Sequence, residues 1–113
     1  MSIEIENLTL KQIREISNLV GKNNDAENTH WKIGEKYFVR TVTMHLVGKL
    51  IFINNKEIVL SDASWVADSG RFNDALKKGS LNEVEPFIDD VIVNREALVD
   101  ATLWKHKLPT EQK

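Results

Sequence analysis

The run YFVRTVTMHLV, residues 37–47, constrains the fold more than any other part of the chain. Valine, threonine, tyrosine and phenylalanine are enriched in strands because their side chains fit a pleated, half-buried surface. We therefore predict one long β-strand here. Every second residue of a strand shares a face. The face that we expect to point to the core is interrupted by Arg40 and carries Phe38, Val42, Met44 and Leu46.

Shorter strands are predicted directly after this run. Gly48 lies inside the β pattern, which indicates a bend or a bulge, and Leu50–Ile53 then forms a second strand. Residues 54–56, Asn-Asn-Lys, predict a tight turn, because asparagine tolerates the left-handed conformation that such turns need. Residues 57–60 form a third strand. The pattern indicates consecutive strands joined by short connections.

A short helix is predicted in the segment that follows. Residues 71–78 show helical spacing of apolar side chains, and Gly79 lies where helices commonly end in a left-handed residue. Ser69 or Asp68 is the expected cap at the start of this helix. The side chains that we expect to turn inward are Phe72, Ala75 and Leu76.

Strands are predicted again in the last third of the chain. They cover residues 81–87, 91–93 and 97–104, with a turn near residues 94–96. Residues 106–113 form a polar tail, which we expect to be frayed because chain ends are poorly ordered unless they are tied down.

The N-terminal segment predicts a helix over residues 8–21. Thr9 and Gln12 fit a capping box, and Gly21 fits a C-terminal cap. We expect its apolar face to pack on the sheet or on a neighbouring subunit. This face consists of Leu10, Ile13, Ile16, Leu19 and Val20. The chain is then one domain, residues 1–113, with the β part over residues 31–105.

Composition excludes several classes of function. A chain of 113 residues suits one domain, and without cysteine it has no disulfide, no thiolate zinc site and no cysteine nucleophile. The net charge of −2 argues against nucleic-acid binding, since phosphate contacts favour a basic protein. The sequence shows no secretion signal and no apolar run of membrane-spanning length, so we expect a cytoplasmic protein that does not enter a membrane.

Two motifs resemble those of the Sm-like superfamily of small β-barrels. They comprise GKLI at residues 48–51, NN at 54–55 and IVL at 58–60, then VIVNRE at 91–96 and LV at 98–99. The resemblance implies a mainly β (α+β) fold, in which an N-terminal helix precedes a strongly bent five-stranded barrel that assembles into rings. A segment with a short helix near residues 70–78 is inserted between the motifs. The residues that bind RNA in this superfamily are replaced, so RNA binding is not implied.

The whole chain is similar to a family of small bacterial and phage proteins. The similar stretches cover residues 31–50, 59–72 and 84–87. This resemblance implies a microbial or viral setting, the cytoplasm of a bacterial host cell, but it implies no mechanism.

Catalytic and metal sites have little support in the sequence. The three histidines, His30, His45 and His106, are not spaced as metal ligands. Asp62 and Asp68 flank a tryptophan and would form a carboxylate pair if they approached each other, but aspartate in such a segment more often caps turns and helices. No nucleophile motif and no glycine-rich phosphate loop is present. We therefore predict no enzyme, no metal and no cofactor.

Aromatic and basic residues give the more suggestive pattern. Aromatic faces stack on bases and arginine binds phosphates, so a nucleotide or a short single strand would suit such a set. The alternative is that the tryptophans anchor the core or a subunit interface. Arg40 either reaches a carboxylate such as Asp62 or lines a pocket, because an unpaired buried charge is costly. The candidate ligand-binding residues are Trp31, Arg40, Trp65, Arg71 and Arg95.

The sequence thus favours a non-enzymatic module that binds and assembles, with a homo-oligomer formed through strand edges and the N-terminal helix. The alternative is a protein that binds a nucleotide or a short nucleic acid, such as a phage protein that sequesters a host signalling nucleotide. A hydrolase built on Asp62 and Asp68 has the least support. Partners are expected to be further copies of the chain, with a nucleotide or another protein as alternatives.

Overall fold

A computed structural model describes residues 29–113 of the chain, and the helix predicted over residues 8–21 lies outside them. The strands belong to a compact unit, Lys32–Lys113. The elements of this unit are β1 (Lys36–Thr41), β2 (His45–Ile53), β3 (Glu57–Asp68), α1 (Phe72–Lys78), β4 (Glu83–Pro86), β5 (Val91–Asn94), a 3-10 helix (Arg95–Ala97) and β6 (Leu98–Leu103).

The strands form one antiparallel sheet in the order β4-β3-β2-β1-β6. The long strand β3 has two partners on one of its edges. Its first part, Glu57–Leu60, pairs with β5, and its second part, Ser64–Asp68, pairs with β4. The sheet within residues 29–113 therefore has six strands, one more than the predicted five, because β4 and β5 share the same edge of β3. The prediction of a mainly β fold with one short inserted helix is confirmed.

The sheet is curled. In the path β5-β3-β2-β1-β6 the outer strands are four strand spacings apart, which is about 19 Å in a flat sheet. Only the 3-10 helix joins them in the chain, and the four Cα steps from Asn94 to Leu98 reach at most about 15 Å. Hydrogen bonds hold both ends of this link: the Arg95 N–H donates to the Lys56 carbonyl and the Val42 N–H donates to the Ala97 carbonyl, both at 2.9 Å.

Both faces of the sheet are buried along β1. Tyr37 and Val39 point to one face and Phe38 to the other, and all three are at most 6% exposed. The Phe38 face is covered by α1 and by the segment after β6. Its cluster consists of Phe38, Val47, Val66, Ala75, Leu81, Val84 and Trp104, with Leu76 and Leu108 packed against it. Burial on both faces explains why residues 37–39 are apolar in succession instead of alternating with polar residues.

The single long strand predicted over residues 37–47 is wrong, because the chain turns between Thr41 and His45. The Thr41 hydroxyl accepts the N–H of Met44 at 3.0 Å and donates to the Met44 carbonyl at 2.9 Å. This side-chain bonding supplies the turn that glycine or asparagine usually provides. Val42 and Met44, which were expected in the core, are consequently exposed.

The predicted turn at residues 54–56 is confirmed. The Asn54 side-chain oxygen accepts the N–H groups of Lys56 and Glu57, both at 2.8 Å. The predicted helix is confirmed as α1, and it ends at Gly79 with a φ of 73°. The predicted caps are wrong: Arg71 is the N-cap residue and makes no side-chain cap bond. Asp68 instead accepts the Gly70 N–H at 2.8 Å.

Strand β3 runs eight residues beyond its predicted end at Leu60. It continues through a bulge, because its pairing with β2 shifts between Ser61 and Ser64. Asp62 lies in this bulge with a φ of 49°, a left-handed conformation that aspartate tolerates better than most residues. The bulge lets Ala63 and Ser64 both be buried although they are neighbours in a strand.

The expectation that residues 106–113 are frayed is wrong. The Lys113 N–H donates to the Val84 carbonyl at 2.9 Å, and the Val84 N–H donates to the Lys113 carbonyl at 3.1 Å. Leu108 packs against the Phe38 cluster. The tail therefore returns along β4 and forms part of the fold. The three late strands are confirmed with shifted ends.

Candidate functional site

Arg40 lies on the Phe38 face and forms an ion pair with Asp100, the residue directly opposite it on β6. Its Nε donates to Asp100 Oδ1 at 2.8 Å and its Nη2 donates to Oδ2 at 2.5 Å, so the pair is bidentate. The guanidinium carbon also lies 4.7 Å from the centre of the Phe72 ring. Arg40 thus has a carboxylate partner, as one alternative predicted, but the partner is Asp100 and not Asp62.

The charge of Arg40 is balanced by the carboxylate of Asp100. The hydrogen bond from Arg40 lowers the pKa of the Asp100 carboxyl below its usual range, and the same bond raises the pKa of the arginine. Both side chains remain partly exposed to solvent. A phosphate that approached Arg40 would compete with a carboxylate already held by two hydrogen bonds.

An aromatic cluster surrounds Phe38 on the same face. Phe38 contacts the rings of His45, Phe72 and Trp104 at centroid distances between 5.5 and 5.9 Å. Trp104 is 2% exposed and its indole N–H donates to the Lys107 carbonyl, so it is a core anchor and not a stacking surface for a ligand. His106 contacts Trp104, and its Nε2 lies 2.8 Å from the Leu76 carbonyl oxygen.

The other candidate residues lie in different places. Arg95 donates to the Asn54 carbonyl at the β2–β3 turn, and Arg71 begins α1. Trp65 stands opposite Leu46, whereas Arg40 stands opposite His45, so the two side chains lie on opposite faces of the sheet. Trp31 precedes the unit Lys32–Lys113 that holds the other four. The structure does not gather the predicted arginine and aromatic residues of that unit into one site.

The acidic residues do not form a catalytic pair either. Asp62 and Asp68 lie six residues apart on β3, which is about 20 Å in an extended strand and too far for joint action on one bond. Among residues 29–113, no group of three His, Cys, Asp or Glu side chains could hold a metal ion.

The outer edge of β6 is the first surface that could bind a partner. The Trp104 N–H donates to the Lys36 carbonyl, which fixes the alternation of the β1–β6 ladder. In that alternation the backbone groups of Thr102 face β1, while those of Ala101 and Leu103 face away from it. Within residues 29–113 no strand pairs with this outer edge. Two apolar side chains are exposed along it: Val99, at 64%, and Leu103, at 42%.

A small hollow beside Trp65, on the sheet face opposite to Arg40, is the second surface that could bind a partner. It has a volume of about 340 Å³ and is lined by Met44, Trp65, Glu85, Pro86 and Phe87. We call it the Trp65 hollow. Trp65 and Glu85 are direct cross-strand neighbours of β3 and β4. The Phe87 N–H donates to the Ala63 carbonyl at 2.8 Å, which fixes the backbone beside the hollow. The sequence predicted Trp65 as a ligand-binding residue but gave no sign of the surrounding residues, because the hollow depends on the β3–β4 register.

Neither a membrane-spanning helix within residues 29–113 nor a similar known protein indicates what this chain does. In the part of the chain that the structure describes, no helix is long and apolar enough to cross a membrane. No family model, curated protein or solved structure matches the chain.

Proposed function

We propose that this chain is a non-enzymatic assembly module that joins a second copy of itself through the outer edge of β6. The observation that carries the proposal is the row of outward-facing backbone groups at Ala101 and Leu103. Unpaired edges template the addition of another strand, and proteins usually shield them with charges, proline or a covering segment. The exposed Val99 and Leu103 offer apolar contact instead.

Pairing between two β6 strands satisfies these groups symmetrically. Two antiparallel copies related by a two-fold axis each present the same residues, so every backbone hydrogen bond and every apolar contact occurs twice. Each backbone bond contributes about 0.5–1.5 kcal/mol net. The apolar side chains add roughly 25 cal/mol for each Å² that they bury. A six-residue strand is long enough to form several such bonds.

The proposal extends to the form of the sheet. We propose that the curled sheet is a small, strongly bent barrel of the Sm-like kind. Its support is the three-residue link Arg95–Ala97 between the two outer strands of the path β5-β3-β2-β1-β6. In a ring, the β6 edge of one copy would pair with the β5 edge of the next instead of with another β6.

The mass of the full chain in solution tests the assembly. Light scattering coupled to gel filtration, at micromolar protein, is expected to give at least twice the 12.9 kDa of one chain. Ala101→Pro removes one outward N–H and is expected to yield monomer, since that N–H is not used in the β1–β6 ladder. Leu103→Lys places a charge on the same edge and is expected to act in the same direction.

Glu85→Lys is the matched control, because it introduces the same side chain on β4, away from β6. It should keep the mass of the unmodified chain. Circular dichroism of each variant shows whether the fold is retained. An unmodified chain that is monomeric at 12.9 kDa would contradict the proposal, as would folded Ala101→Pro and Leu103→Lys variants that still assemble.

The nucleotide-binding alternative has less support from the geometry. Its strongest element is Arg40 above Phe72, at 4.7 Å, with Arg71 next in the chain. Arg40 is held by Asp100, however, and Trp65 lies on the opposite face. A phosphate would have to displace Asp100 from Arg40. Strand pairing at β6 instead uses backbone groups that the β1–β6 ladder does not use.

A further inference from the structure

The Trp65 hollow combines apolar side chains that are usually buried with one carboxylate. Trp65 is 39% exposed, Phe87 40% and Met44 42%. Exposed aromatic and methionine side chains that meet around a hollow are typical of binding surfaces. Glu85, which is itself exposed, is the charged residue among those that line it.

The chain segment that supplies Glu85, Pro86 and Phe87 to the hollow is rich in acidic residues. Residues 79–94 contain four acidic residues and no lysine or arginine. These are Glu83, Glu85, Asp89 and Asp90. They give this segment a charge of −4, so the rest of the chain carries +2 to reach the total of −2. The segment that supplies three of the five lining residues thus has a charge opposite to that of the remaining chain, and within the lining itself Glu85 favours a cationic group over a phosphate.

These features select one class of ligand. The faces of Trp65 and Phe87 attract cations as well as apolar groups. A long side chain with an aliphatic stem and a cationic head satisfies both, because the stem covers aromatic surface while the head reaches a carboxylate. The volume of about 340 Å³ lies at the low end for ligand pockets and suits one or two side chains.

We propose that the Trp65 hollow binds a lysine- or arginine-bearing segment of a partner protein. The aliphatic stem of one basic residue lies against Trp65 and Phe87, and its charged head pairs with Glu85. Acidic residues 89 and 90, which follow Phe87 closely in the chain, favour further basic residues of the same segment. Pro86 and Met44 complete the apolar wall.

This inference is independent of assembly through β6. Trp65 lies on β3, and two strands, β2 and β1, separate β3 from β6 in the sheet. A variant on the β6 edge therefore leaves the hollow intact, and a variant in the hollow leaves the edge intact. Failure of either proposal can be recognised separately.

The experiment uses the indole N–H signals of the full chain in a two-dimensional ¹⁵N spectrum. The probe is a short peptide that alternates arginine and leucine, and the matched probe has glutamate in place of arginine. The Trp65 signal, assigned with Trp65→Phe, is expected to shift on addition of the arginine peptide. The Trp104 signal is the internal reference, because that ring is buried and its N–H is bonded to Lys107.

Two charge-matched variants locate the binding. Glu85→Gln removes the carboxylate in the hollow and is expected to weaken peptide binding about tenfold, as for a lost charge-assisted contact. Glu83→Gln removes the same charge two residues earlier, outside the lining, and is expected to weaken it by less than about threefold. Leu103→Lys should leave the affinity unchanged.

Several outcomes would overturn the inference. One is a Trp65 signal that does not move at about 2 mM arginine peptide, a concentration that reveals even weak binding. Equal losses in the two glutamine variants would show only diffuse attraction to an acidic segment. A shift caused by the glutamate peptide or by a thymidine oligonucleotide would assign the hollow to another ligand. A Trp65 signal that depends on protein concentration without peptide would assign it to a second copy of the chain.

Discussion

Two of the outer strands, β4 and β6, differ in how their exposed backbone edges are protected. On β4 the backbone of Val84 exchanges two hydrogen bonds with Lys113, so the returning tail covers the edge. The strand is also short and carries Glu83, Glu85 and Pro86, which are residues that discourage strand addition. On β6 the outward-facing backbone groups belong to Ala101 and Leu103, and within residues 29–113 no strand pairs with them.

The difference teaches that exposure of an edge is a property of particular residues and not of the sheet as a whole. Within residues 29–113, charge, proline and the returning tail shield the β4 edge, whereas no strand pairs with the more apolar β6 edge. In a monomer, an unshielded edge promotes aggregation. In an assembly, the same edge can pair with a strand of the next subunit. The variants below uncover the β4 edge, stabilise β3 beside β4, or weaken the ion pair between β1 and β6.

Removal of residues 108–113 should have the largest effect. It deletes Leu108 from the Phe38 cluster and both backbone bonds between Lys113 and Val84. We expect the free energy of unfolding to fall by about 2–4 kcal/mol, from lost apolar burial and lost hydrogen bonds. Urea unfolding measures this change. We also expect larger assemblies by light scattering, because the β4 edge becomes available for strand pairing as well.

The control for the truncation is Lys113→Ala, which keeps the backbone and therefore the two hydrogen bonds to Val84. Its stability and mass should match those of the unmodified chain. A truncated chain of unchanged stability would show that the tail contributes nothing to the shielded edge.

Ser64→Ala should have an intermediate effect of opposite sign. Ser64 is fully buried opposite Pro86 of β4, and its hydroxyl finds no hydrogen-bond partner among the described residues. A buried hydroxyl without a partner costs about 1–3 kcal/mol, so the alanine variant should be more stable by about 1 kcal/mol in urea unfolding. Ser61→Ala, at a half-buried position on the same strand, is the control and should change little. A less stable Ser64→Ala variant would mean that the hydroxyl is satisfied.

Asp100→Asn, on β6, should have the smallest effect on stability. Because Arg40 lowers the pKa of Asp100 in the folded chain, the ion pair stabilises the fold above the ordinary pKa of aspartate, about 3.9. That stabilisation is lost as the pH falls through the lowered folded pKa. The thermal midpoint of Asp100→Asn should therefore lie slightly below that of the unmodified chain at pH 7, and the gap should narrow as the pH falls below the ordinary pKa of aspartate.

Added salt should reduce the gap at pH 7, since the pair is exposed and screened. Asp90→Asn removes an acidic side chain outside this pair and serves as the control. A gap that persists unchanged to pH 3 would show that the asparagine acts through packing and not through charge.

Elements with local signals were predictable from the sequence. The turn at residues 54–56 forms because the Asn54 side chain bonds the next backbone groups, which is an effect within four residues. The α1 helix ends at Gly79 because glycine tolerates the left-handed conformation there. Both features depend on residues that are neighbours in the chain, so the chain segment alone indicates them.

Features that depend on distant pairing were not predictable in the same way. The β1–β2 turn escapes a pattern analysis because Val42 and Thr43 favour strands, and a hydroxyl of Thr41 decides the conformation. For Arg40 the sequence left open a carboxylate partner such as Asp62 or a place in a pocket lining, and the register of β6, sixty residues away, selects Asp100. The Trp65 hollow depends on the β3–β4 register, and β3 pairs with β4 only beyond the bulge at Asp62.

The ladder between β1 and β6 has a consequence for biosynthesis. Contacts such as Arg40 with Asp100 join residues that are sixty apart, and non-local pairing of this kind slows folding. A ribosome adds about 5–20 residues each second, so β1, β2 and β3 emerge seconds before β6 does. During that interval the edge of β1 that later pairs with β6 is open, on a chain rich in apolar strands. The nascent protein therefore exposes the β6-pairing edge of β1 to other chains until β6 is synthesised.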